Sequence, residues 1–339
     1  MSDSLVSHIK EMISNNLMEI GGKSYKPDDL HLLKCRHRTR ADDKNYFFVF
    51  ITNFNHPSFH VKIGKSSAGN QLRNEAEVLT NLNRIKSELI AQAVPSLIYF
   101  GVFQNYEILI ETAMRGRQVT HSKFLRSWNP LGIRFLCSRM EKILDWISSF
   151  HSITHCGNTK LSTFLSEEME THLDAYAKTG GMYKLIDLYD YFDRYLNKLK
   201  DLELPLSLEH GDFFDGNILF FQGCIGVVDW ENASNSVFPY MDFILPPISL
   251  QMTLGRFSKS IFGFDKADSD PGLCRPTAFW KDYLHRNDLP YEIISVFAPL
   301  CIIRVVNRLR ESSKGIDTHI MRYEMLLELI LEMDFCKSI

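Results

Sequence analysis

The sequence has no excess of charge of either sign. Its 38 lysines and arginines are balanced by 41 aspartates and glutamates, which gives a formal net charge of −3 at pH 7. Domains that bind nucleic acid typically present a strongly basic face, so the composition gives no reason to expect a nucleic-acid partner. A local basic run, formed for example by Lys34, Arg36, Arg38 and Arg40, is interpreted as a solvated strand and turn.

The sequence also lacks cysteine motifs and long apolar runs. Its seven cysteines are scattered and form no C-x-x-C pair, which argues against a zinc site and a disulfide framework and favours a reducing compartment. No stretch approaches the roughly 20 apolar residues that span a bilayer. Residues 1–16 lack the apolar centre of a signal peptide. We therefore expect a cytoplasmic protein with no membrane partner.

The first part of the chain predicts an antiparallel sheet. An amphipathic helix is expected near the start, with Leu5, Ile9, Ile13 and Leu17 at helical spacing. Strand-like runs follow, the first with Leu30, Leu32 and Leu33, the next two at 46–51 and 59–63, and the last two at 96–103 and 106–111. Between the third and fourth of these runs, residues 71–89 read as a helix with one apolar stripe.

The rest of the chain is mainly helical in pattern. Helical spacing returns at 136–150, at 185–199 and from 279 to the end, whereas 261–277 reads as a surface loop. At about 150 residues per domain, the 339 residues predict two lobes. We assign residues 1–112 to an α+β N-lobe that binds nucleotide, and 113–339 to a helical C-lobe with the catalytic loop, metal site and acceptor site.

Four polar residues interrupt this helical part in two short segments. His210, Asp212 and Asn217 lie in one loop, and Asp229 follows a strand-like run after a turn at 222–223. Two short strands would bring Asn217 and Asp229 side by side. Mg²⁺ prefers such oxygen ligands when phosphates supply the rest, and a nearby aspartate can orient a substrate hydroxyl toward phosphorus. The plain alternative is a turn made of residues that favour turns.

The pattern H-G-D-x-x-x-x-N, followed by Asp229, resembles the aminoglycoside phosphotransferase and choline kinase superfamily. Its members are relatives of protein kinases, whose loop reads H-R-D-x-x-x-x-N. The resemblance implies Asp212 as the catalytic base, Asn217 as a magnesium ligand and Asp229 as the principal magnesium ligand. It implies that His210 is structural and braces the loop. Glu231 is left open between a second metal ligand and a turn cap.

Upstream segments extend the resemblance in the right order. Residues 59–63 resemble the third strand of the family, which implies that Lys62 reaches the nucleotide phosphates, although Lys65 lies close enough to compete. Residues 73–79 resemble the family's helix, which implies that Glu75 pairs with the lysine. Glu77 is the alternative to Glu75.

The hinge and the support of the loop complete the resemblance. Residues 108–116 are similar to the hinge strand, so that backbone groups from Glu111 to Ala113 would hold the adenine edge. Residues 238–242 resemble the segment in which an aspartate, here Asp242, supports the fold. Together the matches cover about 30–242 and imply a bilobal protein-kinase-like fold.

The implied activity is transfer of the γ-phosphate of ATP or GTP to a hydroxyl of a small molecule, with Mg²⁺ as cofactor. The turn at 38–45 has no G-x-G-x-x-G, no A-P-E follows Asp229, and the metal motif reads D-W-E. These departures favour a small-molecule kinase over a protein kinase. An inactive nucleotide-binding scaffold is the other alternative.

The acceptor is left open among aminoglycosides, amino alcohols and sugars, as is the oligomeric state. Six acidic residues would suit a cationic acceptor or be ordinary surface charges: Glu167, Glu168, Glu170, Asp265, Asp268 and Asp270.

Overall fold

The computed structural model describes residues 3–21, 25–35, 44–65, 71–119, 130–253, 276–312 and 317–332. The first half of the chain contains α1 (Asp3–Gly21), β1 (Leu30–Lys34), β2 (Asn45–Ile51), β3 (Phe59–Lys65), α2 (Gln71–Arg84), α3 (Glu88–Ala93), β4 (Leu97–Phe103), β5 (Tyr106–Thr112), β6 (Arg117–Gln118), α4 (Pro130–Ile153), β7 (Gly157–Lys160) and α5 (Leu161–Lys178). The second half contains α6 (Leu185–Leu199), β8 (Glu203–Glu209), β9 (Ile218–Phe221), β10 (Cys224–Val227), β11 (Ser234–Val237), α7 (Tyr240–Thr253), α8 (Pro276–Arg286), α9 (Ile294–Ser312) and α10 (Asp317–Glu332).

The chain divides into two compact units. The first unit comprises residues 1–117 and 217–233, and the second comprises 118–216 and 234–339. The predicted boundary between the lobes lies between residues 112 and 113, which assigns 217–233 to the C-lobe. The structure instead groups the segment 217–233 with the first unit, because its hairpin packs on α3 and its last turn packs on α2.

The first unit is built on a five-stranded antiparallel sheet in the order β1-β2-β3-β5-β4. Alternation along β2 turns Phe47, Val49 and Ile51 to one face of this sheet, as a strand with a single buried face requires. That face packs against Ile9 and Ile13 of α1, both fully buried. The N-terminal helix predicted from apolar spacing therefore covers one side of the sheet.

Helix α2 covers the other side of the sheet. Its residues Leu72 and Ala76 pack with Leu109 of β5, which points away from the α1 side. The sequence predicted one helix over 71–89, but α2 ends at Arg84 and α3 begins at Glu88. The helical ladder breaks because the Ile85 amide bonds back three residues to Leu82 and Ser87 takes an extended conformation ahead of α3.

The hairpin of β9 and β10 connects the two parts of the predicted metal motif. Ile218 pairs with Val227, and the Val228 amide donates to the Asn217 carbonyl at 3.1 Å. The turn has positive φ at Gln222 and Gly223, as a tight hairpin requires. The two predicted strands and their turn are thus present.

The second unit is formed mainly by helices around an aromatic core. Phe164, Phe238 and Phe297 contact one another there, and a small sheet in the order β11-β8-β7 leads into the loop at 210–217. The scattered cysteines argued against disulfides, but Cys137 in α4 is disulfide-bonded. Four other described cysteines are free thiols: Cys35, Cys156, Cys224 and Cys301. Within the ranges given above, no helix is both long and apolar enough to cross a membrane.

Several predicted features lie outside the described residues. The surface loop at 261–277 falls there except for its last two positions, which begin α8. The acidic residues Asp265, Asp268 and Asp270 fall there as well.

Candidate active site

Lys62 lies at the centre of a charged cluster in the first unit. It sits on β3, on the face opposite the α1 core, and is 2% exposed. Its Nζ lies 2.7 and 2.8 Å from the two carboxylate oxygens of Glu75 and 2.8 Å from Oδ1 of Asp229. One ammonium therefore joins the third strand, helix α2 and the end of the β9–β10 hairpin.

The electrostatics of this cluster keep Lys62 charged. Burial by itself would lower the pKa of the amine. The carboxylates of Asp229, Glu75 and Glu111 outweigh that effect and raise the pKa of Lys62 well above its ordinary value. At any physiological pH the side chain is an ammonium, which is the form that binds phosphate oxygens.

The structure separates the residues that competed in the sequence. Lys65 ends β3 and is exposed, and Glu77 is exposed on α2. Glu75 is fully buried, and its Oε1 also accepts the backbone N–H of Trp230 at 2.9 Å. Lys62 and Glu75 are thus the pair that the fold brings together.

Asp229 has an unusual backbone and acidic neighbours. Its φ of 70° and ψ of 63° are left-handed, a conformation that costs energy outside glycine and often marks a functional position. Carboxylate oxygens of Glu75, Asp229 and Glu231 lie within 4.8 Å of one another. Hard oxygen donors of this kind fit a divalent cation such as Mg²⁺. Asn217, 8% exposed, lies at the base of the same hairpin.

Lys44 is a site residue that sequence reasoning missed. Its Nζ lies 2.6 Å from Oε2 of Glu231 and 2.6 Å from Oε1 of Gln71. Nothing in the local pattern distinguishes this lysine from other lysines near turns. Asn74 on α2 also holds the segment around Glu231, because its side-chain amide donates to the backbone carbonyls of Glu231 and Ala233.

In the predicted hinge, the Glu111 side chain and the Ala113 amide already have hydrogen-bond partners within the first unit. The Glu111 side chain is buried on the Lys62 face, where it accepts a hydrogen bond from Nδ1 of His60 at 3.0 Å. The Ala113 amide donates to the Ser58 carbonyl at 2.9 Å. Adenine recognition by 111–113 therefore stays a prediction, and use of the Ala113 amide would require breaking that bond.

The loop with the predicted base lies in the second unit, where buried side chains bind its backbone. The carboxylate of Asp242 accepts the N–H of His210 at 2.6 Å and of Gly211 at 2.9 Å. Nε2 of His151 lies 3.3 Å from the same carboxylate, and its Nδ1 lies 2.7 Å from the Tyr283 hydroxyl. Both side chains are buried and hydrogen-bonded, which agrees with the supporting role that the resemblance implies for Asp242.

Asp212 follows this fixed turn directly. Its backbone N–H donates to Nδ1 of His210 at 3.3 Å, so His210 holds the loop from within. Phe213 is fully buried and stacks with Trp146, which places it in the core. Asp212 is therefore displayed by a loop that is bonded and packed on both sides.

The comparisons with known proteins agree with this geometry. Residues 49–244 match the profile of the phosphotransferase enzyme family (APH). No curated protein matches the sequence significantly.

Many solved structures share the fold of this chain. An ethanolamine kinase of Plasmodium vivax is 15% identical, covers 100% of this chain and 91% of its own, and gives a TM-score of 0.55. A thermostable aminoglycoside phosphotransferase mutant in a ternary complex with ADP and hygromycin B is 12% identical. The match covers 94% of this chain and 97% of the phosphotransferase, with a TM-score of 0.54. An amicoumacin kinase in complex with AMP-PNP and Ca²⁺ is 14% identical; the match covers 97% of this chain and 98% of the kinase, with a TM-score of 0.53.

Proposed function

This chain belongs to the phosphotransferase enzyme family, within the aminoglycoside phosphotransferase and choline kinase superfamily, and from that premise we propose that it transfers the γ-phosphate of ATP to a hydroxyl of a small molecule. The observation that carries the proposal is the contact of Lys62 with both Glu75 and Asp229. In protein kinases a lysine paired with a helix glutamate must be in place for phosphoryl transfer, and Lys62 with Glu75 has that arrangement.

Each group has a separate part in the proposed reaction. Asp212 accepts a hydrogen bond from the acceptor hydroxyl, orients its oxygen toward the γ-phosphorus and takes its proton as the new O–P bond forms. The bond between the γ-phosphorus and the bridging oxygen breaks, and ADP leaves with that oxygen. Lys62, held in place by Glu75, binds phosphate oxygens of the nucleotide. Asp229 and Asn217 would hold Mg²⁺, which, when bound, would neutralise charge on the phosphates. Catalysis of this kind consists mainly of placement and charge stabilisation.

ATP is the better candidate for the nucleotide. The related structures contain ADP or AMP-PNP, both adenine nucleotides. GTP was left open by the sequence and is an outcome of the test below. Cytoplasmic location likewise stays a prediction.

The acceptor is proposed only as a class. One related structure contains hygromycin B, and another is an ethanolamine kinase. Among the acidic residues considered for a cationic acceptor, Glu168 lies 3.1 Å from Nε2 of His172. This hydrogen bond lowers the pKa of Glu168, with a contribution from Arg304. Because its charge is already balanced, Glu168 gives little reason to prefer a cationic acceptor.

The proposal is tested by a screen of hydroxyl-bearing small molecules with ATP or GTP and Mg²⁺. The panel contains aminoglycosides, amino alcohols and sugars, and nucleotide consumption is measured. Asp212→Ala is the blank, since it should lose transfer while still binding nucleotide. Consumption by the wild type with at least one acceptor class is expected. Transfer at the wild-type rate by Asp212→Ala would refute the assignment of the base.

A wild type that consumes neither nucleotide with any member of the panel would support the inactive scaffold instead. Phosphorylation of generic protein substrates would favour a protein kinase.

A further inference from the structure

The peptide unit between Gly211 and Asp212 is bonded at both of its ends. Its N–H, on Asp212, donates to Nδ1 of His210, and its carbonyl, on Gly211, accepts a short hydrogen bond from Nη1 of Arg308. This peptide unit leads directly into the side chain proposed as the base. Its orientation sets where the Asp212 carboxylate points.

The turn itself explains why the peptide needs such a hold. Gly211 has a φ of 74°, in the left-handed region, where glycine is permitted but is also free to leave. The Asp242 carboxylate fixes the amide on the near side of Gly211. Arg308 fixes the carbonyl on the far side, so the two side chains hold the glycine from opposite ends.

Arg308 comes from a distant part of the chain. It lies on α9, beyond residues 49–244, the part that matches the family profile. Its neighbours on the helix have other partners: Arg304 pairs with Glu209 at 2.8 Å, and Arg310 pairs with Glu324 at 2.5 Å. Within the described part of the chain, Arg308 forms no comparable ion pair.

The Arg308 guanidinium is a buried positive charge that interacts electrostatically with Asp212. Burial lowers the pKa of its guanidinium, and Arg304 acts in the same direction, whereas Asp212 and Glu209 oppose them. Among the groups that oppose this lowering, Asp212 has the largest effect. A buried cation without an ion-paired carboxylate costs free energy unless hydrogen bonds compensate for it. The hydrogen bond to the Gly211 carbonyl is such a compensation.

We propose that Arg308 is a positioning residue for Asp212, which fixes the 211–212 peptide through the Gly211 carbonyl and places a positive charge beside the base. The proposal rests on the proposed function for its kinetic consequence but not for its structural one. Arg308 itself need not touch the acceptor or the nucleotide.

The kinetic test compares Arg308→Met, Arg308→Lys and Arg310→Met. The reaction is hydrolysis of ATP with Mg²⁺, with water as the acceptor. Arg308→Met should lower kcat by about 10- to 100-fold, the cost of a small misplacement of a catalytic group. The KM for ATP should change less than about 3-fold, since Lys62 is untouched. Arg308→Lys should recover part of kcat, because it retains the charge but not the planar fork.

Arg310→Met is the matched control, with the same substitution on the same helix at an arginine bonded to Glu324 and Thr179. It should keep the wild-type kcat even where its melting temperature falls as far as that of Arg308→Met. Equal kcat losses in Arg308→Met and Arg310→Met would overturn the proposal, because they would reduce Arg308 to a general structural role.

A second measurement does not depend on turnover. Amide hydrogen exchange of residues 208–214 should be at least about 10-fold faster at Asp212 in Arg308→Met, and unchanged there in Arg310→Met. Unchanged exchange in Arg308→Met would overturn the proposal even for an active enzyme. An enzyme inactive with every nucleotide and acceptor would contradict the proposed function, whereas the exchange result would still decide the role of Arg308.

Discussion

At the scale of single residues, Lys62 shows how strongly a buried charge depends on its partners. The side chain is almost fully buried, and its three nearest carboxylates belong to α2, β5 and the segment after β10. A surface ion pair contributes little to stability, but a buried one that loses a partner leaves an uncompensated charge. The cluster is therefore sensitive to removal of any single member.

Lys62→Met tests this dependence. We expect the free energy of unfolding to fall by about 3–5 kcal/mol, because Glu75 is left buried without its cation. Urea unfolding measures the change. Lys65→Met is the matched control on the same strand and should stay within about 0.5 kcal/mol of the wild type, as exposed substitutions usually do. Similar losses in both variants would contradict the account.

At the scale of elements, α1 is the helix that closes the core of the first unit. Its apolar stripe of Leu5, Ile9 and Ile13 is buried against the sheet face that carries Val49 and Val61. In a close-packed core a removed side chain leaves a cavity that its neighbours fill only in part. The helix should therefore contribute to stability through this stripe rather than through its exposed face.

Ile9→Ala should lower the free energy of unfolding by about 2–5 kcal/mol, since Ile9 is fully buried. Chemical denaturation measures the loss. Glu11→Ala, on the exposed face of the same helix, is the control and should have almost no effect. A small loss in Ile9→Ala would mean that α1 is held to the sheet only weakly.

The approach of the β9–β10 hairpin to the segment after β5 also depends on one residue. Gly116 has a φ of 135°, and a Cβ added there would lie 2.9 Å from the Phe220 carbonyl oxygen. Because that oxygen is backbone, it cannot turn aside as a side chain could. Gly157 has a similar φ of 147°, but a Cβ there would meet nothing within 4 Å.

Gly116→Ala should therefore destabilise the protein by more than Gly157→Ala. Both variants carry the backbone cost of a positive φ, about 1–3 kcal/mol. Only Gly116→Ala adds a clash with β9, so the difference in melting temperature between the two isolates the close approach. Equal effects would show that the hairpin moves to make room.

At the scale of the whole molecule, a nucleotide that binds only the folded chain must stabilise it. The expected gain is about 2.7 kcal/mol at a free nucleotide concentration of 100 times Kd. ATP with Mg²⁺ should raise the melting temperature of the wild type, and ATP with a chelator should raise it less. Asp229→Ala should lose most of the magnesium-dependent part. An equal rise in both proteins would remove Asp229 from the metal site.

Much of the fold followed from the sequence. The periods of α1, β2 and β3 are local, so alternation and helical spacing were sufficient to predict them. The predicted helix over 71–89 was wrong at Ile85, where hydrogen bonding, rather than the apolar pattern, ends α2. The hairpin at 218–227 was predicted correctly, but its place in the first unit depends on packing against α2 and α3.

The sequence by itself determined the family, the two kinds of lobe and the candidates for base, lysine and metal ligands, because these depend on short motifs in a fixed order. Only the tertiary structure decided that Lys62 and not Lys65 pairs with Glu75, and that Lys44 and Arg308 belong to the charged surroundings of the two motifs. Hydrophobic periodicity is a local property that can be read from neighbouring residues, whereas contacts between charges distant in sequence form only when the elements pack.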